Sequence, residues 1–411
     1  MHRMTRSLTC LTVALTFAGC AGTGGGEESE EELMERARSI HERVLSIDTH
    51  DDIPANFATD DVDPLNADRQ VTLEKMRAGG LNTAFFIVYV GQTERTPENY
   101  EQAKADAMTK FDAIHRMAED MYPDQIEIAY SADDVERIHA SGKLVAAIGI
   151  ENGYVIGKDL SLLAKYHELG GRYITLAHNG HNDISDSANP REILGDSEAE
   201  HGGLSEFGEE VVAEMNRLGI MVDVSHISKD ASLHAMRVSR APVIASHSST
   251  KAFANVSRNM DDEQLMALKE NGGVIQTVAL GSFVKVQPDE RGEAQRAIRE
   301  ELGGGGGRGG LRGLDPEQRA EYERRIADLD ERFPPANIVD FVNHVDHAVG
   351  VIGIDHVGIS SDFDGGGGLQ GWEDASETLN VTVELVRRGY SEEDIRKQFH
   401  PREDTKGQFE F

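Results

Sequence analysis

Leu144–Glu151 reads LVAAIGIE, an unbroken apolar run that ends on a carboxylate. Such a run suits a strand covered on both faces, as in a parallel sheet walled by helices. Burying the closing carboxylate is costly unless it is paired or ligated. Outward from Leu144–Ile150, comparable runs stand at Val44–Thr49, Leu81–Tyr89, Arg172–Ala177, Gly219–Ser225, Pro242–Ser246, Gly273–Val278 and His356–Ser360, which makes eight predicted strands. Helical patterns fall between them at Pro97–Glu119, Leu160–Leu169, Leu204–Leu218, Lys229–Val238, Asp261–Glu270, Pro316–Arg332 and Ala336–Val349. Breakers such as Gly219 and Asn271-Gly272-Gly273 stop them. Eight β/α alternations predict an α/β fold, a (β/α)8 barrel of the TIM type, with a doubly wound open sheet as the alternative.

Two segments interrupt the alternation. Asp183–Gly203 is a long polar loop, and Gly303–Gly313 (GGGGGRGGLRG) is a low-complexity insertion. Both read as surface excursions, the second as mobile.

Composition removes other classes. The 411 residues carry 41 Lys+Arg against 73 Asp+Glu, a net charge of −32, so a protein reading phosphates through basic patches is excluded and no nucleic-acid partner is expected. The 39% hydrophobic share is enough for a core, against an acidic disordered chain. No apolar run approaches the ~18 residues of a membrane span. One large soluble domain or two modest ones remain.

The N-terminus reads as an export signal. Arg3 and Arg6 precede the apolar Leu8–Ala18, which ends in Phe17-Ala18-Gly19-Cys20. The small residues before Cys20 resemble the lipobox of bacterial lipoproteins, which makes Cys20 the lipidation site. An ordinary signal peptide with a chance cysteine is the alternative. Residues 1–20 are then a signal peptide and 21–34 a flexible, acidic, Gly-rich tether. Residues 35–411 form a single barrel domain with the insertion at 303–313. The expected location is the bacterial cell envelope, on the periplasmic face or the cell surface, with the membrane reached through the lipid anchor. With Cys10 in the signal and Cys20 lipidated, the mature domain has no thiol. Any metal must be held by His and carboxylates.

In a barrel of this type, functional residues lie at the C-terminal ends of the strands. The first predicted strand runs into Asp48-Thr49-His50-Asp51-Asp52. The third ends in Glu151, the fourth in His178, the fifth in His226, the sixth in His247, and the eighth runs into Asp362-Phe363-Asp364. His50 and Asp52 are two apart and project to one side of an extended segment. Asp51, at odd spacing, points the other way. His226 and His247 cap successive strands, close enough to share an ion. Glu151 bridging two cations resolves the cost of its burial. A two-metal centre of N and O ligands is predicted, most simply two Zn2+ per chain. His41, His115, His139 and His234 sit in helical patterns and read as solvated or packing residues. His181 and His201 lie in the polar loop, where they either touch substrate or have no functional role.

These residues resemble the membrane dipeptidase (renal dipeptidase) family of zinc peptidases, within the amidohydrolase-like barrels. The matching stretches are IDTHDDIP (Ile47–Pro54), GIENG (Gly149–Gly153), YITLAHN (Tyr173–Asn179), VDVSHIS (Val222–Ser228), APVIASHSS (Ala241–Ser249), SRN (Ser257–Asn259) and HVGISSDFDG (His356–Gly365). They occur in order between about Glu35 and Glu393. The resemblance implies that His50 and Asp52 ligate one zinc, that His226 and His247 ligate the other, and that Glu151 bridges them. It implies that His178 hydrogen-bonds substrate near the scissile carbonyl and that Arg258 pairs with the substrate's C-terminal carboxylate. Asp362 would serve proton transfer; spacing alone does not choose it over Asp364. Two cations would acidify a bridging water to hydroxide near neutral pH, and the oxyanion would be held by metal and His178. Dipeptides are the implied substrates, including those with a C-terminal D-residue. A homodimer is implied by the resemblance alone.

The chain departs from the family at two places. After Lys397 it reads QFHPREDTKGQFEF, where relatives carry a Gly-Gly-Asn segment. No tyrosine lies between Arg258 and Gly313, where the family places a substrate contact, although Phe283 is nearby. Two other functions stand beside the dipeptidase. One is a barrel amidohydrolase acting on another amide or a lactam. The other is a non-catalytic surface lipoprotein that binds peptide or metal.

Overall fold

The computed structural model describes residues 28–304 and 314–399. The expected signal peptide, Cys20, the first half of the tether, most of the Gly-rich insertion and the divergent tail beyond Phe399 lie outside the described residues.

Nine strands form one sheet: β1 Ile47–Asp52, β2 Thr83–Tyr89, β3 Ile126–Ile128, β4 Leu144–Glu151, β5 Gly171–Thr175, β6 Met221–Asp223, β7 Ile244–Ser248, β8 Val274–Val278 and β9 Val357–Ser360. Eight of them pair in parallel in the order β1-β2-β4-β5-β6-β7-β8-β9, and β3 pairs with β4 beside this path. The two ends of the path meet at a single parallel bridge, Asp51 to Phe363, where the Asp52 N–H donates to the Phe363 carbonyl at 3.0 Å. The expected barrel is therefore the observed architecture, nearly closed, and the open-sheet alternative fails.

Alternation along the strands sorts two cores. Phe86 and Val88 point outward into the large cluster shared with the helices, whereas Phe85 and Ile87 point inward with Ala147, Tyr173, Met221 and Ile244. Ala147, Gly149 and Glu151 share that inner face. Gly149 is there for space, because a Cβ at this position would lie 2.2 Å from the Tyr173 ring. The absence of a side chain at one strand lets a phenol from the next strand cross the barrel.

The structure corrects several expectations. The first strand starts at Ile47 and runs through Asp52, so His50 and Asp52 are strand residues. Helix Glu30–His41 begins inside the segment read as tether, started by a reciprocal Ser29–Glu32 capping box. Strand β3 and helices Leu73–Gly79, Ala132–Ala140, Asp289–Glu301, Leu379–Arg387 and Glu392–Phe399 were not expected. The predicted helix Pro97–Glu119 ends at His115 and passes into a π-helical turn, Arg116–Met121.

The polar loop is not a plain surface excursion either, since Ile184, Ser185, Asp186 and Ser187 are buried. The Asp186 carboxylate accepts backbone N–H bonds from Glu200, His201, Gly202 and Gly203, which satisfies both sides of a buried polar segment. His181 and His201 bond the loop's own carbonyls, Ser197 and Asn182, and so order the loop. Among the described residues no helix is long and apolar enough to cross a membrane.

Candidate metal centre

Glu151 is the centre of the site. It is 3% exposed, and its Oε1 lies 3.0 Å from His226 Nε2, 3.4 Å from His247 Nε2, 3.6 Å from His178 Nε2 and 3.8 Å from His50 Nε2. Burial pushes this carboxyl up, but the surrounding imidazoles, His178 and His50 first, hold it well below the usual carboxylate range. Three overlapping ligand groups result: His50–Glu151–His247, Glu151–His178–His226, and His50–Asp52–Asp362.

Neighbouring hydrogen bonds set the histidine tautomers. The Tyr173 hydroxyl donates to the Thr49 carbonyl at 2.9 Å, so at 3.0 Å it accepts from His50 Nδ1–H. His50 Nε2 is thereby the ring nitrogen turned to the carboxylates, buried without a hydrogen-bond partner and 3.9 Å from Asp362 Oδ1. A parallel relay serves His247. Asp223 Oδ2 accepts from Ser246 Oγ at 2.7 Å, and Ser246 Oγ accepts from His247 Nδ1 at 2.8 Å. His247 Nε2 then faces His226 Nε2 at 2.7 Å. Burial holds both rings well below the ordinary histidine range, so both are neutral. Two neutral imidazole nitrogens facing one another beside a carboxylate suit a shared cation. The donor set, all nitrogen and oxygen, fits zinc.

The backbone is bent to make this arrangement. Among the described residues, five other than glycine have positive φ: Ala58, Asn152, His226, Asp362 and Asp364. Four of these follow β4, β6 or β9 at the site. A left-handed non-glycine residue costs about 1–3 kcal/mol, a strain that persists where neighbouring contacts hold the residue in place. At His226 (φ 66°) the carbonyl accepts the Ala188 N–H at 2.8 Å, so the buried polar loop clamps the turn.

Asp362 and Asp364 separate by environment. Asp364 pairs with Arg69 at 2.9 Å and faces away from the ligand cluster. Asp362 is 5% exposed beside His50, and burial first, then the Asp52 and Glu151 charges, push it up to about 8. Asp51 contacts Ser361 Oγ at 3.4 Å and joins no ligand group, as its spacing predicted.

Arg258 is buried in the loop after β7. Asn259 pins that loop by donating to the carbonyls of Ala254 and Phe283, both at 2.8 Å. The guanidinium lies 5.3 Å from the Phe283 ring centroid, and Nη2 donates to the His247 carbonyl at 3.2 Å. Among the described residues it has no carboxylate within salt-bridge distance, and desolvation lowers it to about 10. Phe283, noted in the sequence as near the expected tyrosine, thus packs on Arg258.

All the metal and substrate candidates named from sequence thus converge on one rim. Sequence reasoning missed Tyr173, Asp223 and Tyr89, whose hydroxyl is 3.5 Å from His178 Nδ1. Their only signal was polarity at the inward end of a strand, and their partners come from other strands.

Comparison with known proteins settles the family. A model of the membrane dipeptidase family, peptidase family M19, matches residues 34–400. The chain belongs to that family. It is 35% identical over 332 residues to dipeptidase tcpJ of Claviceps purpurea, a match covering 80% of this chain and 66% of that protein, just under two thirds of its length. It is 30% identical over 381 residues to dipeptidase verJ of Clonostachys rogersoniana, covering 89% of this chain and 84% of that one. Among solved structures, the probable dipeptidase PvdM from Pseudomonas aeruginosa superposes with a TM-score of 0.79 at 32% identity, covering 92% of this chain and 98% of that chain.

Proposed function

We propose that the protein hydrolyses dipeptides at a binuclear zinc centre, with His50 and Asp52 holding one ion, His226 and His247 the other, and Glu151 shared. The observation that carries this reading is Glu151 Oε1 within 3.8 Å of four imidazole nitrogens. Ions held there would supply acidification of bound water and polarisation of the scissile carbonyl.

The remaining steps belong to side chains. Arg258, buried and without an ion-pair partner among the described residues, clamps the free carboxylate of the substrate in a charge-assisted, two-pronged contact. That contact fixes chain length, because the carboxylate must lie one residue beyond the scissile bond. His178 donates from Nε2 to the developing oxyanion. Asp362, as the carboxylate beside the cations, accepts a proton from the attacking water and returns it to the leaving amine. Since the carboxylate rather than the α-carbon configuration is gripped, a C-terminal D-residue is accepted. The same reading places the chain at the cell envelope through Cys20.

Hydrolysis of L,L- and L,D-dipeptides, with and without a chelator, tests the proposal. Chelator-sensitive cleavage of both supports it; turnover that survives complete metal removal refutes it.

A further inference from the structure

The β1–β9 seam is one bridge wide, as narrow as the β6–β7 pairing, yet both carboxylates of the His50–Asp52–Asp362 group hang from it. Side chains supply what the ladder lacks. Asp364 Oδ2 pairs with Arg69 Nη2 at 2.9 Å and accepts the Val71 N–H at 3.1 Å, while Oδ1 accepts the Gln70 N–H at 3.2 Å. In return the Asp364 N–H donates to Gln70 Oε1 at 2.7 Å. Gln70 Nε2 goes on to donate to the carbonyls of Gly367 at 3.1 Å and Glu373 at 2.7 Å. Arg69 Nη2 also donates to the backbone carbonyl of Asp52 itself, and its guanidinium lies 5.7 Å from the Phe57 ring centroid. Arg69 and Asp364 are each 13% exposed at the side chain, so this pair is screened little by solvent. The clasp joins segments 294 residues apart.

Its position gives it a use beyond holding the barrel shut. Arg69 fixes the peptide of Asp52, and Asp364 fixes the turn that carries Asp362. The two carboxylates meet across Gly365, where a Cβ would lie 2.3 Å from Asp52 Oδ2 and 2.4 Å from Asp362 Oδ1. We infer that the Arg69–Asp364 clasp is the positioning device of one of the two metal subsites, the one built on Asp52, and leaves the His226–His247 subsite independent of it. The inference rests on the proposed binuclear reading. It makes Arg69 and Asp364 positioning residues that touch neither metal nor substrate.

The test is zinc titration of the metal-free protein against a chelating dye, for wild type, Arg69→Met, Asp364→Asn and the double variant. Asp364→Asn keeps the shape of the turn while removing the charge, so it guards against simple misfolding. Expected for each variant is one ion bound with wild-type affinity and the other weakened about 10–100-fold, as is usual when a residue that orients a ligand is lost. The double variant should be no weaker than the weaker single one, because the pair acts as a unit. The Asp52 amide, bonded to Phe363 across the seam, should also exchange faster in all three variants without metal. Two ions at unchanged affinity, or both weakened alike, would overturn the inference while leaving the binuclear reading in place. Wild type binding fewer than two ions would overturn that reading and this inference with it.

Discussion

Replacing Arg258 by methionine separates binding from stability in opposite directions. Among the described residues the buried guanidinium has no carboxylate within salt-bridge distance, and desolvation lowers it to about 10. At about 1.36 kcal/mol per pKa unit, the folded protein carries this cation at a cost of about 3 kcal/mol. The sign follows from a folded pKa below the unfolded one: at any pH under about 10 the group is charged in both states, and only the folded state bears the penalty. Methionine fills similar volume without charge. The variant gives up the bond to the His247 carbonyl, about 1 kcal/mol. A net gain of about 2 kcal/mol is expected, read as a rise of a few degrees in Tm.

Catalysis should move the other way. Removing one partner of a desolvated charge pair costs about 2–5 kcal/mol, so kcat/KM for a dipeptide should fall by about 30-fold to several thousand-fold. The same dipeptide carrying a C-terminal amide offers Arg258 no anion, so wild type and variant should process it within a few-fold of one another. The assay is kcat/KM on the matched acid and amide substrates, with a thermal melt of each protein. An equal loss on both substrates, or a variant several kcal/mol less stable, would refute the reasoning.

Three further predictions concern the rim. Asp362→Asn should lose about 10²–10⁴-fold in kcat, the range of a lost general acid–base group. In the metal-free protein His50 is raised to about 9 and Asp362 to about 8, so the folded state holds more protons than the unfolded chain between pH 7 and 9. Its Tm should therefore fall as pH rises through that window, whereas zinc-loaded protein, with metal in place of those protons, should show little change. Gly365→Ala should lose the ion held by Asp52, since the new methyl would overlap both carboxylates; zinc content at two-fold excess is the readout.

Much of this was legible in sequence, for physical reasons that differ by element. Strands such as Leu144–Glu151 are buried on both faces and show as apolar runs, and the rule that barrel chemistry sits at strand ends turned His50, Glu151, His178, His226 and His247 into one site. Strand β3 was missed because Ile126–Ile128 is too short to carry a period. Helix Asp289–Glu301 was missed because its sequence, DERGEAQRAIREE, is nearly all polar and buries only Ile298. The segment 183–203 looks solvent-exposed by composition, and only Asp186 collecting backbone N–H groups lets it be buried. Asp364 could not be told from Asp362 by spacing; Arg69, far away in the chain, separates them. Tyr173 and Asp223 set histidine tautomers from neighbouring strands, a relation that no local pattern encodes.

The central claim is that Glu151 is shared by two cations. Metal analysis of the purified domain, wild type beside Glu151→Gln, tests it most directly. Two zinc ions per chain in the wild type, and loss of zinc together with dipeptidase activity in the variant, are predicted. A Glu151→Gln protein that retains both ions and full turnover would contradict the account.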